Sequence, residues 1–99
     1  MFPVKWTKSA LLDQASTFLY WNERNKSQTY SKKLLKEIRI AEKLIGENPL
    51  LGKISEVENV RSILVLRNFS IYYRVKFNEI EIVAFWDNRR NPENLEIGN

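Results

Sequence analysis

The chain has 99 residues, of which 43% are hydrophobic, and its 16 lysines and arginines outnumber 12 acidic residues for a net charge of +4. This length supports one domain, residues 1–99, with a core that buries roughly two-thirds of the unfolded surface. Cysteine and histidine are both absent, which excludes disulfides, thiolate metal sites and every catalytic triad that uses imidazole. We therefore expect no metal and no other cofactor. The moderate positive charge favours nucleic acid or an acidic protein as the partner.

The amino terminus begins a short predicted strand. Phe2, Val4 and Trp6 alternate with polar or small residues, and Pro3 would remove a backbone donor, so we place this strand at a sheet edge. The same segment lacks a basic region followed by a long apolar stretch, and no run of 18 apolar residues occurs. We expect no signal peptide, no membrane contact and a cytoplasmic location.

Two helices are predicted next. Thr7 or Ser9 can cap the first, which runs to about Asn22 with a core stripe at helical spacing. Ser27 can cap the second, which covers about residues 28–45 and ends at Gly46. The core stripe of the first is Leu11, Ala15, Phe18 and Leu19, and that of the second is Tyr30, Leu34, Ile38, Ala41 and Ile45.

A basic ridge lies on the other side of the second helix, at steps of four, three and four residues. It is either a surface that follows phosphates or an ordinary solvated helix face. The irregular connection 47–58 contains Lys53, which either reaches a ligand or is simply exposed. The ridge consists of Lys32, Lys36, Arg39 and Lys43.

Residues 59–92 form an antiparallel meander of three strands, because apolar residues recur at every second position. Two-residue loops at Arg67-Asn68 and at Asn78-Glu79 would set its register. The predicted core face is Val60, Leu64, Leu66, Phe69, Ile71, Tyr73, Val75, Phe77, Ile80, Ile82, Ala84 and Trp86, and the other face is Arg61, Ile63, Val65, Ser70, Tyr72, Arg74, Lys76, Glu81, Val83 and Phe85.

This register places Arg61 directly opposite Arg74 on the second face. Like charges across a strand pair repel, so either an anionic ligand compensates them or both side chains turn into water. Guanidinium groups clamp phosphates, and a tyrosine beside a phenylalanine can stack a base. Cleavage of RNA also needs an acid and a base, and Lys76, Lys53, Tyr72 and Glu81 all remain open for those roles. The RNA-binding set would be Arg61, Tyr72, Arg74, Lys76, Arg89 and Arg90.

Two segments of the meander, RSILVLRNFSIYYRV and IEIVAFWDNRRNPENL, resemble the RelE/ParE superfamily of type II toxin–antitoxin toxins over essentially the whole chain. The resemblance implies an α+β fold in the order β-α-α-β-β-β, an antiparallel helix hairpin on a small antiparallel sheet, with an extra turn after Pro92. It also implies a cognate antitoxin whose acidic, amphipathic tail covers the toxin. We expect that tail to cover Ile63, Val65, Val83 and Phe85. A homodimer and a hetero-oligomer with the antitoxin are both compatible with the sequence.

The superfamily implies two alternative activities. RelE-like members cleave mRNA on the ribosome, and this metal-independent endoribonuclease activity is our first hypothesis, although the sequence leaves open whether the chain is an enzyme. ParE-like members inhibit DNA gyrase, and a third alternative is a degenerate module that only binds the antitoxin. Ser70 replaces an arginine common in RelE-like members, and no tyrosine or histidine follows Tyr73. For the ribonuclease the catalytic residues would be Arg61, Tyr72, Arg74 and Arg89, and the target-binding residues Lys32, Lys36, Arg39, Lys43, Lys53, Lys76, Phe85 and Arg90.

Overall fold

A computed structural model describes residues 1–89 of the chain. Two helices cover one face of a five-stranded sheet whose strand order is β1-β5-β4-β3-β2. Strand β1 runs parallel to β5, and the other neighbours are antiparallel. The predicted α+β fold is confirmed, with the short strand β2 added before the meander. In chain order the elements are β1 (Val4–Trp6), α1 (Lys8–Asn25), α2 (Thr29–Glu47), β2 (Lys53–Ile54), β3 (Arg61–Val65), β4 (Phe69–Lys76) and β5 (Glu79–Asp87).

Local capping explains where the helices begin and end. The Thr7 hydroxyl accepts a hydrogen bond from the Ala10 amide at 3.1 Å, which satisfies a donor of the first turn of α1. Lys26 ends α1 in the left-handed conformation, with φ of 51°. The N-cap of α2 is Gln28, not the predicted Ser27, and its side chain makes no capping hydrogen bond. The Ser27 hydroxyl accepts from the Thr29 amide at 3.1 Å. Helix α2 continues through Gly46, so the predicted glycine cap lies within the last turn.

The core lies between the helices and the facing side of the sheet. Helix α2 supplies most of the helical part through its predicted stripe, whereas α1 contributes the fully buried Ala10 and the partly buried Phe18 and Trp21. Leu11, Ala15 and Leu19, which we predicted as core residues of α1, are exposed. The buried core is Ala10, Leu34, Ile38, Ala41, Ile45, Val65, Phe69, Ile71, Tyr73, Ile80, Ile82 and Phe85.

The predicted register of β3 against β4 is wrong by one residue. The connection has three residues, because Val65 pairs with Phe69 and both Leu66 and Arg67 adopt positive φ. Since side chains alternate between faces, this one extra residue reverses the orientation of all of β3. Ile63 and Val65 therefore point toward the helices, while Leu64 is 64% exposed.

The register of β4 against β5 differs from the prediction in two steps. Lys76 pairs with Glu79, so the turn consists of Phe77-Asn78. The strand pairing is therefore shifted by two residues from the predicted one, and a shift by two leaves Ile80 and Ile82 on the core face. A bulge then inserts Val83 between the pairs Tyr73–Ile82 and Tyr72–Ala84. Beyond it the faces reverse, so Phe85 joins the core, whereas Ala84 and Trp86 lie on the face away from the helices.

The predicted turn after Pro92 lies outside the described residues, as does Arg90. Within residues 1–89, neither helix combines the length and the apolar character that crossing a bilayer requires.

Candidate functional site

The arginine pair predicted on one sheet face is not formed. Arg61 pairs with Tyr73 and therefore belongs to the face on which the helices pack. Its Nη1 atom donates to the carbonyl oxygen of Gly52 at 2.9 Å. Arg74 lies on the opposite face, where its guanidinium forms an ion pair with Glu81 at 2.6 Å. Both arginines are thus held by groups of the chain itself, and the repulsion between them does not arise.

Tyr72, Arg74 and Lys76 do share one face, as predicted, because they alternate along β4. Arg74 and Glu81 sit directly opposite each other on adjacent strands, so a carboxylate fills the space in which an anionic ligand was expected. Lys76 is exposed, and its ammonium lies 5.9 Å from the centre of the Phe77 ring. Of the two β4 cations on this face, Arg74 is therefore compensated by a carboxylate and Lys76 is exposed.

Arg89 follows β5 at the other end of the sheet. Its guanidinium makes two hydrogen bonds to the Asp87 carboxylate, at 2.9 and 2.8 Å. It also lies over two rings, 4.8 Å from the centre of Trp21 and 5.6 Å from that of Phe69. The bonds to Asp87 raise the pKa of the Arg89 guanidinium above its ordinary value. Arg89 therefore links β5 to α1 and β4.

Phe85 is not a surface residue, and its assignment as a target contact is wrong. It is buried and stacks on Phe69 with ring centres 5.4 Å apart and planes within 3°. Its backbone amide donates to Asp13 Oδ2 at 3.2 Å, which ties the strand after the bulge to α1. The bulge at Val83 causes this placement, since without it Phe85 would project from the other face.

The remaining predicted cations are exposed. Lys53 lies on the edge strand β2, and the basic ridge follows the solvent side of α2 with Arg39 Nη1 3.6 Å from Glu42. A set of exposed apolar residues was missed, because the sequence pattern assigned most of them to the core. Two groups belong to the helices, Leu11, Leu12 and Leu19 on α1 and Ile40 and Leu44 on α2, and others are Leu50, Leu51, Ile54, Leu64, Val75 and Phe77.

A cleft of about 570 Å³ opens where β4 extends past β3. Strand β3 begins at Arg61, opposite Tyr73, so residues 74–76 have no partner in β3. Burial raises the pKa of the Tyr73 phenol, against the opposing effects of the Gly52 amide and the Arg61 charge. The cleft is lined by Leu50, Ile54, Glu58, Asn59, Val60, Arg61, Tyr73, Arg74, Val75 and Lys76.

The predicted site residues do not form a single constellation in the part of the chain that the structure describes. Among residues 1–89, no three histidine, cysteine or acidic side chains cluster in a way that could hold a metal ion. The predicted catalytic residues Arg61, Tyr72, Arg74 and Arg89 do not converge on one point of the sheet. A cation at the cleft and exposed apolar residues around it remain available for a partner.

Comparison with known proteins identifies relatives of this fold. The family model described as "ParE toxin of type II toxin-antitoxin system, parDE" matches residues 4–92. A solved structure titled "Chromosomal ParDE TA system from P. aeruginosa" is similar to the chain with 28% identity and a TM-score of 0.75. The match covers 88% of this chain and 96% of that one. No curated protein matches the chain significantly.

Proposed function

Because the chain belongs to the ParE toxin family of type II toxin–antitoxin systems, we propose that it arrests growth by binding and inhibiting DNA gyrase. This mechanism replaces our first hypothesis, cleavage of mRNA on the ribosome. A type II toxin acts when its antitoxin is lost, so a cognate antitoxin is its regulatory partner. The choice of gyrase rests on the family and on the way in which the structure distributes its arginines.

The observation that carries the proposal is the separation of Arg61, Arg74 and Arg89. Arg61 pairs with Tyr73 of β4. Asp87, whose carboxylate binds Arg89, pairs with Phe69 of the same strand. Four residues along β4 separate these two pairs, roughly 13 Å at the usual rise of a strand. Arg74 is on the opposite face, so the three guanidinium groups do not surround a single phosphate.

Glu81, one of the groups we considered for proton transfer to or from RNA, is already engaged by the chain itself. Transfer of a proton to or from RNA requires a group within hydrogen-bonding reach of the reacting oxygen. Glu81 is engaged with Arg74 at 2.6 Å, and the Tyr73 hydroxyl donates to the Pro49 carbonyl at 2.8 Å. Lys53 and Lys76 are exposed. An inhibitor that acts by binding needs neither an acid nor a base.

The exposed apolar residues of the two helices are the surface we propose for the antitoxin. The buried residues to which we first assigned this role, Val65, Val83 and Phe85, have almost no accessible surface. Leu11, Leu12 and Leu19 lie within one third of the circumference of α1. An amphipathic segment could cover this leucine stripe, and the basic ridge of α2 would attract its acidic residues.

The mechanism is tested by inducing the chain alone in bacteria and measuring growth, plasmid topology and mRNA ends together. We expect growth arrest with altered supercoiling and without codon-linked cuts. The purified protein should inhibit supercoiling by purified gyrase. Growth arrest with codon-linked mRNA cuts and normal supercoiling would contradict the proposal, and normal growth would favour the module that only binds the antitoxin.

The antitoxin surface is tested separately with Leu19→Asp. Leu19 is 64% exposed, so the substitution should leave folding intact while weakening antitoxin binding. Lys26→Asp, which changes an exposed cation after α1, is a control for altered charge. Equal antitoxin affinity of Leu19→Asp and the wild type would exclude the leucine stripe from the interface.

A further inference from the structure

The turn between β4 and β5 holds a phenylalanine in a conformation that suits asparagine or glycine. Phe77 and Asn78 both have positive φ, 51° and 63°, and they join the strands as a two-residue hairpin loop. Such loops favour Asn-Gly or Gly-Gly, because a side chain with Cβ is disfavoured in the left-handed region. Phe77 is thus the strained member of this turn.

Packing within the described chain does not offset this strain. Phe77 is 89% exposed, and the Lys76 ammonium lies 5.9 Å from the centre of its ring. An exposed aromatic side chain in a strained conformation indicates a role outside the fold, since strain of this kind persists where function requires it.

The residues near Phe77 indicate which chemical groups a binding partner would present to this surface. The preceding residues, Arg74, Val75 and Lys76, line the cleft at the end of β3 together with Arg61. Arg74 is neutralised by Glu81, whereas Arg61 is held by backbone carbonyls and Lys76 has no ion pair within residues 1–89. Glu58 is the acidic residue of the lining. The cleft therefore carries a surplus of positive charge that favours carboxylates.

The rim of the same cleft is aliphatic. Leu50, Ile54 and Val75 are exposed there, and Val75 precedes Phe77 by two residues on the same hairpin. Nucleic acid would satisfy the cations but would leave aliphatic side chains with few apolar partners. A protein surface satisfies both, because interface centres combine apolar pockets with aromatic and arginine anchors.

We propose that this hairpin patch, Phe77 with Val75, Lys76 and the adjoining cleft, is the surface through which the toxin binds the protein that it inhibits. The Phe77 ring enters an apolar pocket of that protein, and acidic residues around the pocket occupy the cleft between Arg61 and Lys76. The patch is separate from the leucine stripe of α1. This inference rests on the proposed function, because it assumes that inhibition proceeds by binding a protein.

The test uses Phe77→Asn, with Asn78→Gly as its matched control. Both substitutions place a residue suited to positive φ in the same turn. Phe77→Asn should raise the melting temperature because it removes the strained residue, whereas Asn78→Gly replaces a residue already suited to this conformation and should change the melting temperature less. Only Phe77→Asn removes the ring. We expect it to bind purified gyrase holoenzyme about thirtyfold more weakly, as an interface anchor would, and to lose toxicity. Asn78→Gly should bind and arrest growth like the wild type.

The outcomes separate this inference from the proposed function. If the wild type binds gyrase and Phe77→Asn binds equally well, the hairpin patch is excluded while gyrase inhibition stands. If the wild type does not bind gyrase, the proposed inhibition of gyrase is wrong. Growth arrest then tests the hairpin patch, and a Phe77→Asn variant as toxic as the wild type would exclude the patch as the inhibitory surface. Loss of affinity for duplex DNA alone, with unchanged protein binding, would replace the protein partner with nucleic acid. A wild type that neither binds gyrase nor arrests growth overturns both.

Discussion

The Gly52 amide donates a hydrogen bond of 2.8 Å to the Tyr73 hydroxyl. The hydroxyl in turn donates to the carbonyl oxygen of Pro49, also at 2.8 Å. A single buried side chain of β4 thus fastens the connection between α2 and β3 to the sheet. The Arg61 guanidinium adds a bond to the Gly52 carbonyl at 2.9 Å. This contact shapes the wall of the cleft, because residues 50–54 supply part of its lining.

Gly52→Ala should destabilise the fold, because there is no room for a methyl group. A Cβ atom at this position would lie 2.6 Å from the Tyr73 hydroxyl and 2.9 Å from the Ser62 carbonyl oxygen. We expect a loss of about 1–3 kcal/mol from overpacking, measured by urea unfolding. Gly46→Ala is the comparison, since its Cβ would meet the Phe2 carbonyl at 3.1 Å. An equal or larger loss there would contradict this account.

Tyr73→Phe should cost about 1–3 kcal/mol at neutral pH, because it leaves the Gly52 amide and Pro49 carbonyl without their partner. Tyr72→Phe leaves those bonds intact and is the matched control. Unfolding in urea measures both, and the account fails if the two variants are equally stable.

The dependence of stability on alkaline pH tests the same Tyr73 contact through the pKa of the Tyr73 phenol. Burial raises the pKa of Tyr73 in the folded state, above the value of about 10 in the unfolded chain. The folded state then binds the proton more tightly, so its stabilising contribution is complete below about pH 10 and is lost as the pH rises through the folded pKa. The stability of Tyr73→Phe should therefore fall less steeply above about pH 10. An unchanged slope would show that Tyr73 does not couple folding to this ionisation.

Arg89→Ala should lower stability, in contrast to an ordinary surface substitution. The guanidinium lies 4.8 Å from the centre of the Trp21 ring and is bonded to Asp87. We expect a loss of about 1–2 kcal/mol from the two ring contacts and the ion pair, discounted for partial exposure. Arg89→Lys keeps the charge without the planar fork, and should recover part of the loss. A melting curve of Arg89→Ala that matches the wild type would refute this structural role.

Asp13→Ala should loosen the strand after the bulge. The Phe85 amide donates to Asp13 Oδ2 at 3.2 Å, and removal of that acceptor leaves a buried donor unpaired at a cost of about 1–3 kcal/mol. Hydrogen exchange at the Phe85 amide should accelerate. Asp13→Asn keeps a side-chain carbonyl and should protect the amide better. Equal exchange in all three proteins would show that this bond contributes little.

The sequence predicted the elements well because their signals are local. Thr7 caps the first helix, and the stripe from Leu34 to Ile45 faces the sheet, as its spacing indicates. The core face of the first helix was predicted less accurately, since Leu11 and Leu19 have core-like spacing and yet are exposed. Periodicity identifies an apolar face, but it does not say whether that face packs against the same chain or a different one.

The candidate site could not be predicted to the same extent. A three-residue turn at 66–68 and a bulge at Val83 each change the register by one, and one residue is enough to move a side chain to the other face. Contrary to the prediction, Arg61 therefore does not share a face with Arg74, and Phe85 lies in the core. Neither irregularity has a glycine to mark it.

The sequence by itself determined the order of helices and strands and the absence of imidazole and thiol chemistry, because composition and local periodicity carry that information. The resemblance to a toxin superfamily came separately, from two particular segments of the sequence. The tertiary structure decided which arginines meet carboxylates, which apolar residues remain exposed, and that Phe77 occupies a strained turn. Those properties depend on strand register and on contacts between distant residues such as Asp13 and Phe85. A shift of one position in register changes them while leaving every local pattern intact.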